Sequence, residues 1–163
     1  MLENRRHYRI PFKNKVVLSF AEEIITGTAI NISLGGLFVR SLKVKSIDTS
    51  CRMLFELEED NSPVIFHATV KRAISFEQNT EADPGMALQF DKSSPEALQR
   101  LKIFLNKAKQ NFKVASAILS SGEPDLMTLG PLLKSLSLPE SSDVSELRFQ
   151  VEKILTIIES SGS

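Results

Sequence analysis

The chain has 163 residues, 42% of them apolar and 25% charged, the composition of a globular protein with room for one good core and an appended element. Twenty basic residues balance twenty acidic ones, which excludes a general nucleic-acid glue, and a single cysteine, Cys51, excludes an internal disulfide and suits a reducing compartment. No run of about 18 apolar residues is available to span a membrane, and the opening Met1–Arg6 lacks the apolar stretch of a signal peptide, so a cytoplasmic location is expected.

The balanced total conceals a local bias. Residues 1–15 hold Arg5, Arg6, Arg9, Lys13 and Lys15 against Glu3 alone, five charges against one, a net of +4. Like charges so close together predict an arm that a polyanionic ligand would order. A β pattern follows. Val16, Leu18 and Phe20 alternate with Lys15, Val17 and Ser19. Ile24–Ile30 is β-branched and threonine-rich, Leu37–Arg40 follows a Gly-Gly turn, and Arg52–Leu57 is a further short run. After Pro63, the residues Val64, Phe66, Ala68, Val70, Ile74 and Phe76 share one parity, with His67, Thr69 and Lys71 on the wet parity. Asp83-Pro84-Gly85 is a turn signal, and Met86, Leu88 and Phe90 alternate again. Six short strands with such punctuation predict a small antiparallel barrel.

From Ser93 onward the period changes. Ser94-Pro95-Glu96 combines a capping hydroxyl, proline at the first helical position and an early acid, which predicts a helix start. Leu98, Leu101, Leu105, Ala108, Phe112, Ala115 and Leu119 recur at spacings of 3 and 4, a heptad-like seam that Gly122 and Pro124 are expected to stop. The leucine-rich stretch Leu126–Leu138 is expected to be interrupted at Gly130-Pro131. Asp143 and Glu146 form a capping-box pattern, and Val144, Leu147, Val151, Ile154 and Ile158 make a second seam. The terminal Ser160–Ser163 is expected to fray. The fold class expected is therefore mainly β with C-terminal α: a six-stranded antiparallel barrel followed by a helical extension. The domain boundary is placed at 1–105 and 106–163.

Two motifs carry chemistry. Arg5-Arg6-His7-Tyr8-Arg9 places two guanidinium groups four positions apart. Each is a planar fork that can clamp a phosphate or read the O6 and N7 edge of guanine. Asn31-Ile32-Ser33-Leu34-Gly35-Gly36 offers an amide suited to a base edge, a small hydroxyl, and two glycines that allow positive φ or close approach of a ring. Taken alone, the first is a solvated basic arm and the second a hairpin turn. Both in this order on a barrel make a far more specific pattern. Enzymatic readings fare worse. Only His7 and His67 are present, His67 lacks a metal-spaced companion, and no nucleophile elbow, Walker loop or zinc-protease motif occurs. Acid pairs such as Glu22-Glu23 and Glu58-Glu59-Asp60 fit solvated turns better than acid–base chemistry.

Arg5-x-x-x-Arg9 followed by Asn31-x-Ser33-x-x-Gly36 resembles the paired signature of the PilZ domain, a family of small β-barrels that bind the bacterial second messenger cyclic di-GMP. The resemblance spans about residues 3–105 and extends to Gly85–Phe90 and Ser94–Leu101. It implies that Arg5 and Arg9 grip phosphates and guanine edges, that Asn31 and Ser33 contact a guanine, and that Gly36 permits close approach, with Asn4, Arg6 and Gly35 bordering the site. Asn4 stands where the family tunes one ligand against a stacked pair. It further implies a bacterial, non-enzymatic receptor that controls motility, pili or exopolysaccharide, with no cofactor, no metal, no DNA and no membrane insertion. The helices beyond residue 105 point to a protein partner or to self-association. The alternative is a PilZ-like adaptor that docks proteins with weak or no nucleotide binding. Single-stranded RNA binding is disfavoured, because no Trp and only one Tyr are available as stacking platforms.

Overall fold

A computed structural model describes residues 7–58, 62–75, 83–91, 94–138 and 143–160. Asn4, Arg5 and Arg6, and with them most of the expected arm, lie outside the described residues, as do Phe76 and the terminal 161–163. Six strands close a barrel: β1 (Ile10–Ser19), β2 (Ile24–Ile32), β3 (Gly36–Arg40), β4 (Ser50–Phe55), β5 (Val64–Ile74) and β6 (Gly85–Phe90). Their order around the wall is β1-β2-β3-β6-β5-β4, and every pairing is antiparallel. Closure removes the exposed sheet edges that such short strands would otherwise present. The period-two pattern has the meaning it should. Val16, Leu18, Met53, Phe66, Ala68 and Val70 point inward and are fully buried, while His67 and Lys71 are exposed. Cys51 is part of this core. Burial first, and the Asp91 charge second, push its thiol up to about 11, so it stays protonated and inert at neutral pH.

The register shifts at three places, one between Pro11 and Asn14 on β1 that keeps the buried parity, and two bulges, on β2 and β5, that break alternation. On β2, Ala29 pairs with Val39 but Asn31 pairs with Phe38, leaving Ile30 as an extra residue. On β5, Val70 pairs with Leu88 but Arg72 pairs with Ala87, leaving Lys71 extra. Each bulge inverts the facing of everything after it. Hence Ala73, not Ile74, stands opposite the buried Met86, and the run of one parity expected from Val64 through Ile74 ends at Val70.

Helix α1 (Pro95–Leu119) begins as its sequence signals. The Ala97 N–H donates to the Ser94 hydroxyl at 3.1 Å. Its seam is buried from Leu101 to Leu119, with Ala97 rather than Leu98 completing it at the first turn. The helix runs unbroken across residue 105. It closes on the barrel through Phe104, which meets Phe12 edge-on with ring centroids 5.6 Å apart. Arg100 donates to the Ser62 carbonyl, and Lys107 pairs with Glu58 at 3.2 Å.

Helix α2 (Leu126–Ser135) passes through Gly130-Pro131 without a break, against the expected interruption. Pro131 removes one backbone donor. The Asp125 side chain starts the helix by accepting from the Met127 and Thr128 amides, and Leu129, Leu133 and Leu136 are buried along it. Packing and a strong cap outweigh the proline. The Thr128 hydroxyl, which donates to the same carboxylate at 2.7 Å, and then those amides hold the Asp125 carboxyl below the usual carboxylate range. Just after α2, Ser137 adopts φ 57°, and its hydroxyl accepts the Lys13 N–H at 3.0 Å, tying the helices to β1.

Helix α3 (Val144–Ser160) starts at Asp143, whose carboxylate accepts the Ser145 and Glu146 amides. Leu147, Val151, Leu155 and Ile158 are buried, and α3 packs on α1, so the two seams meet within one chain. Gly122 does not cap α1, which ends at Leu119 with Ser120 as C-cap. The last carbonyl is met instead by Arg148 of α3, whose Nε donates to the Leu119 oxygen at 3.2 Å and whose Nη2 donates to the same atom. A cation there also opposes the partial negative charge of the helix end. Replacing Arg148 with alanine should cost about 1 kcal/mol, which a thermal melt would register as a fall of about 3 °C. Among the described residues no helix is long and apolar enough to cross a membrane.

Candidate functional site

The segment between β2 and β3 is built by one side chain. Ser33 is buried, and its backbone N–H donates to the Gly36 carbonyl at 2.8 Å. Its hydroxyl accepts the Gly35 and Gly36 amides at 3.1 and 3.2 Å and donates to the Gly36 carbonyl at 3.3 Å. The hydroxyl expected to face a ligand is thus engaged in shaping the turn. Substituting alanine leaves two amides without that acceptor and should destabilise the fold by about 1–2 kcal/mol. Urea unfolding checks this, and the same protein should lose less ligand affinity than an arginine variant loses.

The glycines are required by packing. Neither Gly35 nor Gly36 adopts the left-handed backbone. A Cβ on Gly36 would lie 2.0 Å from the Leu88 carbonyl oxygen of β6, so the absence of a side chain lets β3 pair with β6. A Cβ on Gly35 would lie 3.0 Å from Cδ2 of His7, so the imidazole rests on that glycine. Gly35 also accepts the Phe90 N–H through its carbonyl at 2.8 Å.

Around this turn lies a cleft of about 460 Å³, lined by His7, Arg9, Ser33–Gly36, Lys71 and Ala87–Phe90. Four expected site residues, Arg9, Ser33, Gly35 and Gly36, converge there. Arg9 is half-buried and immediately precedes β1. Asn31 is close in sequence but does not line the cleft. The bulge at Ile30 turns it to the outer side of β2, in register with Pro11 and Phe38. Its Oδ1 is buried and has no hydrogen-bond partner among the described residues. An orphaned acceptor at that depth is costly, so it marks a place where a donor belongs. Arg5, Asn4 and Arg6 lie outside the described residues.

Lys71, Gln89 and Phe90 line the cleft as well, and no sequence motif pointed to them. Lys71 had read as one more wet-face residue, and the only available signal was the loss of alternation after Val70. Phe90 also ends a ladder of rings. It stacks on Phe66 at 4.3 Å, Phe66 on Phe55 at 5.7 Å, and Phe55 meets Phe12 at 5.9 Å, beyond which stands Phe104 of α1. A larger hollow of about 690 Å³ separates the barrel from the helices. It mixes Glu56 and Glu58 with Lys13, Lys107 and Lys134, and Glu58 is already paired, so it lacks the one-sided charge of the cleft.

The fold is thus a small closed barrel with a cationic cleft beside a serine-organised glycine turn. The family model described as PilZ domain matches residues 3–107, about two thirds of the sequence, and the chain belongs to that family. No curated protein sequence matches it. Among solved structures, it is similar to the Bacillus subtilis inhibitor of motility (MotI/DgrA), with 22% identity over 68% of this chain and 53% of that one and a TM-score of 0.55. It is similar to YcgR from Escherichia coli in complex with c-di-GMP, with 13% identity over 71% and 50% of the two chains and a TM-score of 0.59. It is also similar to the K. pneumonia MrkH-c-di-GMP complex, with 15% identity over 69% and 55% and a TM-score of 0.56. At these identities the likeness is one of fold, and the chain spans about half the length of each of these structures.

Proposed function

We propose that this protein is a non-enzymatic receptor for cyclic di-GMP. The observation that carries the reading is the convergence of Arg9 with the Ser33–Gly36 turn on one cleft, together with a buried Asn31 side-chain oxygen that has no donor among the described residues. Membership of the PilZ family supports the choice of ligand, as do two neighbours of similar fold solved with c-di-GMP. Arg5 and Arg9 grip phosphates and guanine edges, Asn31 accepts from a guanine, and Ser33 and Gly36 hold the turn that the base approaches. Asn4, Arg6 and Gly35 border the site. Isothermal titration of the purified chain with cyclic di-GMP tests the reading. Low-micromolar or tighter binding is expected, and a folded protein that evolves no heat would favour the docking adaptor instead.

The output runs through the helices. The barrel unit, 1–105, receives the ligand, and the helical unit, 106–163, presents the surface that changes. Ligand neutralises the arm's arginines and draws it to the 33–36 turn. The phenylalanine ladder from Phe90 to Phe104 provides a packed connection from that cleft to α1. A ligand can move the helices only by its differential affinity for the two arrangements. The process served is motility, pilus or exopolysaccharide control in a bacterial cytoplasm, through a protein partner or a second copy. Because the two seams already face each other, such a contact uses outward residues such as Val114 and Phe149, both exposed. Sedimentation velocity at several concentrations, with and without ligand, should show a larger species that Phe149→Asp removes. A monomer throughout would leave a heterologous partner as the output.

A further inference from the structure

The two arginines of the signature both come from the segment before β1, yet the ligand proposed above carries two phosphates. Lys71 lines the same cleft from β5. It is the extra residue of the bulge between the Val70–Leu88 and Arg72–Ala87 pairs, and bulges re-aim side chains. Lys71 and Arg72 are consecutive and both exposed, which regular alternation would not allow on a half-buried strand. The neighbouring Gln89 on β6 adds an uncharged amide to the lining.

Among the described residues the charge on Lys71 has one weak partner. Its Nζ lies 3.9 Å from Oδ1 of Asp48, and the two side chains are 49% and 80% exposed. Exposed pairs at that distance contribute little, so the ammonium can exchange a carboxylate for a phosphate at small cost. Asp48 itself is held by backbone. Its N–H donates to the Val70 carbonyl at 2.8 Å, and it adopts φ 73°. The backbone that carries the carboxylate is therefore held next to the lysine.

We infer that Lys71 is an additional phosphate-binding residue of the cleft and that Asp48 competes with the ligand for it. This rests on the receptor reading given above. A cation delivered from β5 supplies charge that the arm alone does not, and it makes the barrel wall part of the anion site.

The test is calorimetric titration with cyclic di-GMP at two salt concentrations. The proteins are the unsubstituted chain, Lys71→Met, Lys71→Glu, Asp48→Asn and, as a remote control, Lys109→Met. Lys71 is exposed, so matching circular dichroism spectra and melts are expected throughout. Lys71→Met should weaken binding about tenfold and make it less salt-dependent, and Lys71→Glu should weaken it further. Asp48→Asn, which keeps a side chain at ease with positive φ, should tighten binding about twofold. Normal affinity in both lysine variants overturns the inference while leaving the receptor reading intact. An Asp48→Asn protein no tighter than its parent overturns the competition. Silence from the folded, unsubstituted chain overturns the receptor reading and this inference together.

Discussion

Replacing Arg9 with alanine should weaken cyclic di-GMP binding by about 1.5–3 kcal/mol, roughly 10- to 150-fold in Kd, the range for a charge-assisted hydrogen-bonding group. Arg9 is half-buried at the cleft, so ligand contacts it makes are screened less than those of a surface cation. It sits one residue before β1, where the rigid barrel fixes its backbone. Because Ile10, next in sequence, is buried in the core, the substitution should leave the fold standing. The loss should therefore appear in the titration and not in the urea midpoint. Arg5→Ala should have a similar effect on binding. Arg9→Lys is a sharper probe, since it keeps the charge and removes the planar fork; substantial loss there would show that bidentate geometry matters. Unaltered affinity in Arg9→Ala would remove this residue from the clamp.

Replacing Gly36 with valine should destabilise the barrel by about 3 kcal/mol and abolish binding through the same distortion. The Cβ would stand 2.0 Å from a backbone oxygen of β6, and a carbonyl within a ladder cannot swing aside as a flexible side chain could. The pairings from Gly36–Gln89 to Arg40–Gly85 must then open or shift. Since the turn's bonds to Ser33 include both the amide and the carbonyl of Gly36, site and fold are damaged together. Gly122→Val is the control, because a Cβ there meets nothing within 4 Å. Urea unfolding of the two proteins separates the cases. A Gly36→Val barrel as stable as its parent would show that β3 and β6 can part at little cost.

The comparison of these two positions shows which inferences a sequence supports. The pairing of an arginine motif with Asn31–Gly36 was legible because both are local patterns of residue type. The role of Gly36 was not, because the atom that excludes a side chain belongs to Leu88, 52 positions further along the chain. Ser33 was legible as part of the motif, but its three bonds within the turn depend on backbone that only the folded strands bring into place. The helix seams were legible from their spacing, and their mutual packing was one of several arrangements that spacing allows. The capping of α1 by Arg148 leaves no local trace, since the two groups are 29 residues apart.

Alternation and capping residues by themselves determined six strands and a long helix starting at Ser94, and two spaced motifs carried the resemblance to the family signature. These depend on each residue and its near neighbours, which any reader of the sequence can inspect. Which way Asn31 and Lys71 face was decided only by the closed wall. An extra residue at Ile30 and another at position 71 are invisible until partner strands impose a register, and each then inverts the side chains that follow. That inversion turns Asn31 to the outer wall of the barrel, and the extra residue on β5 leaves Lys71 lining the same cleft as Arg9.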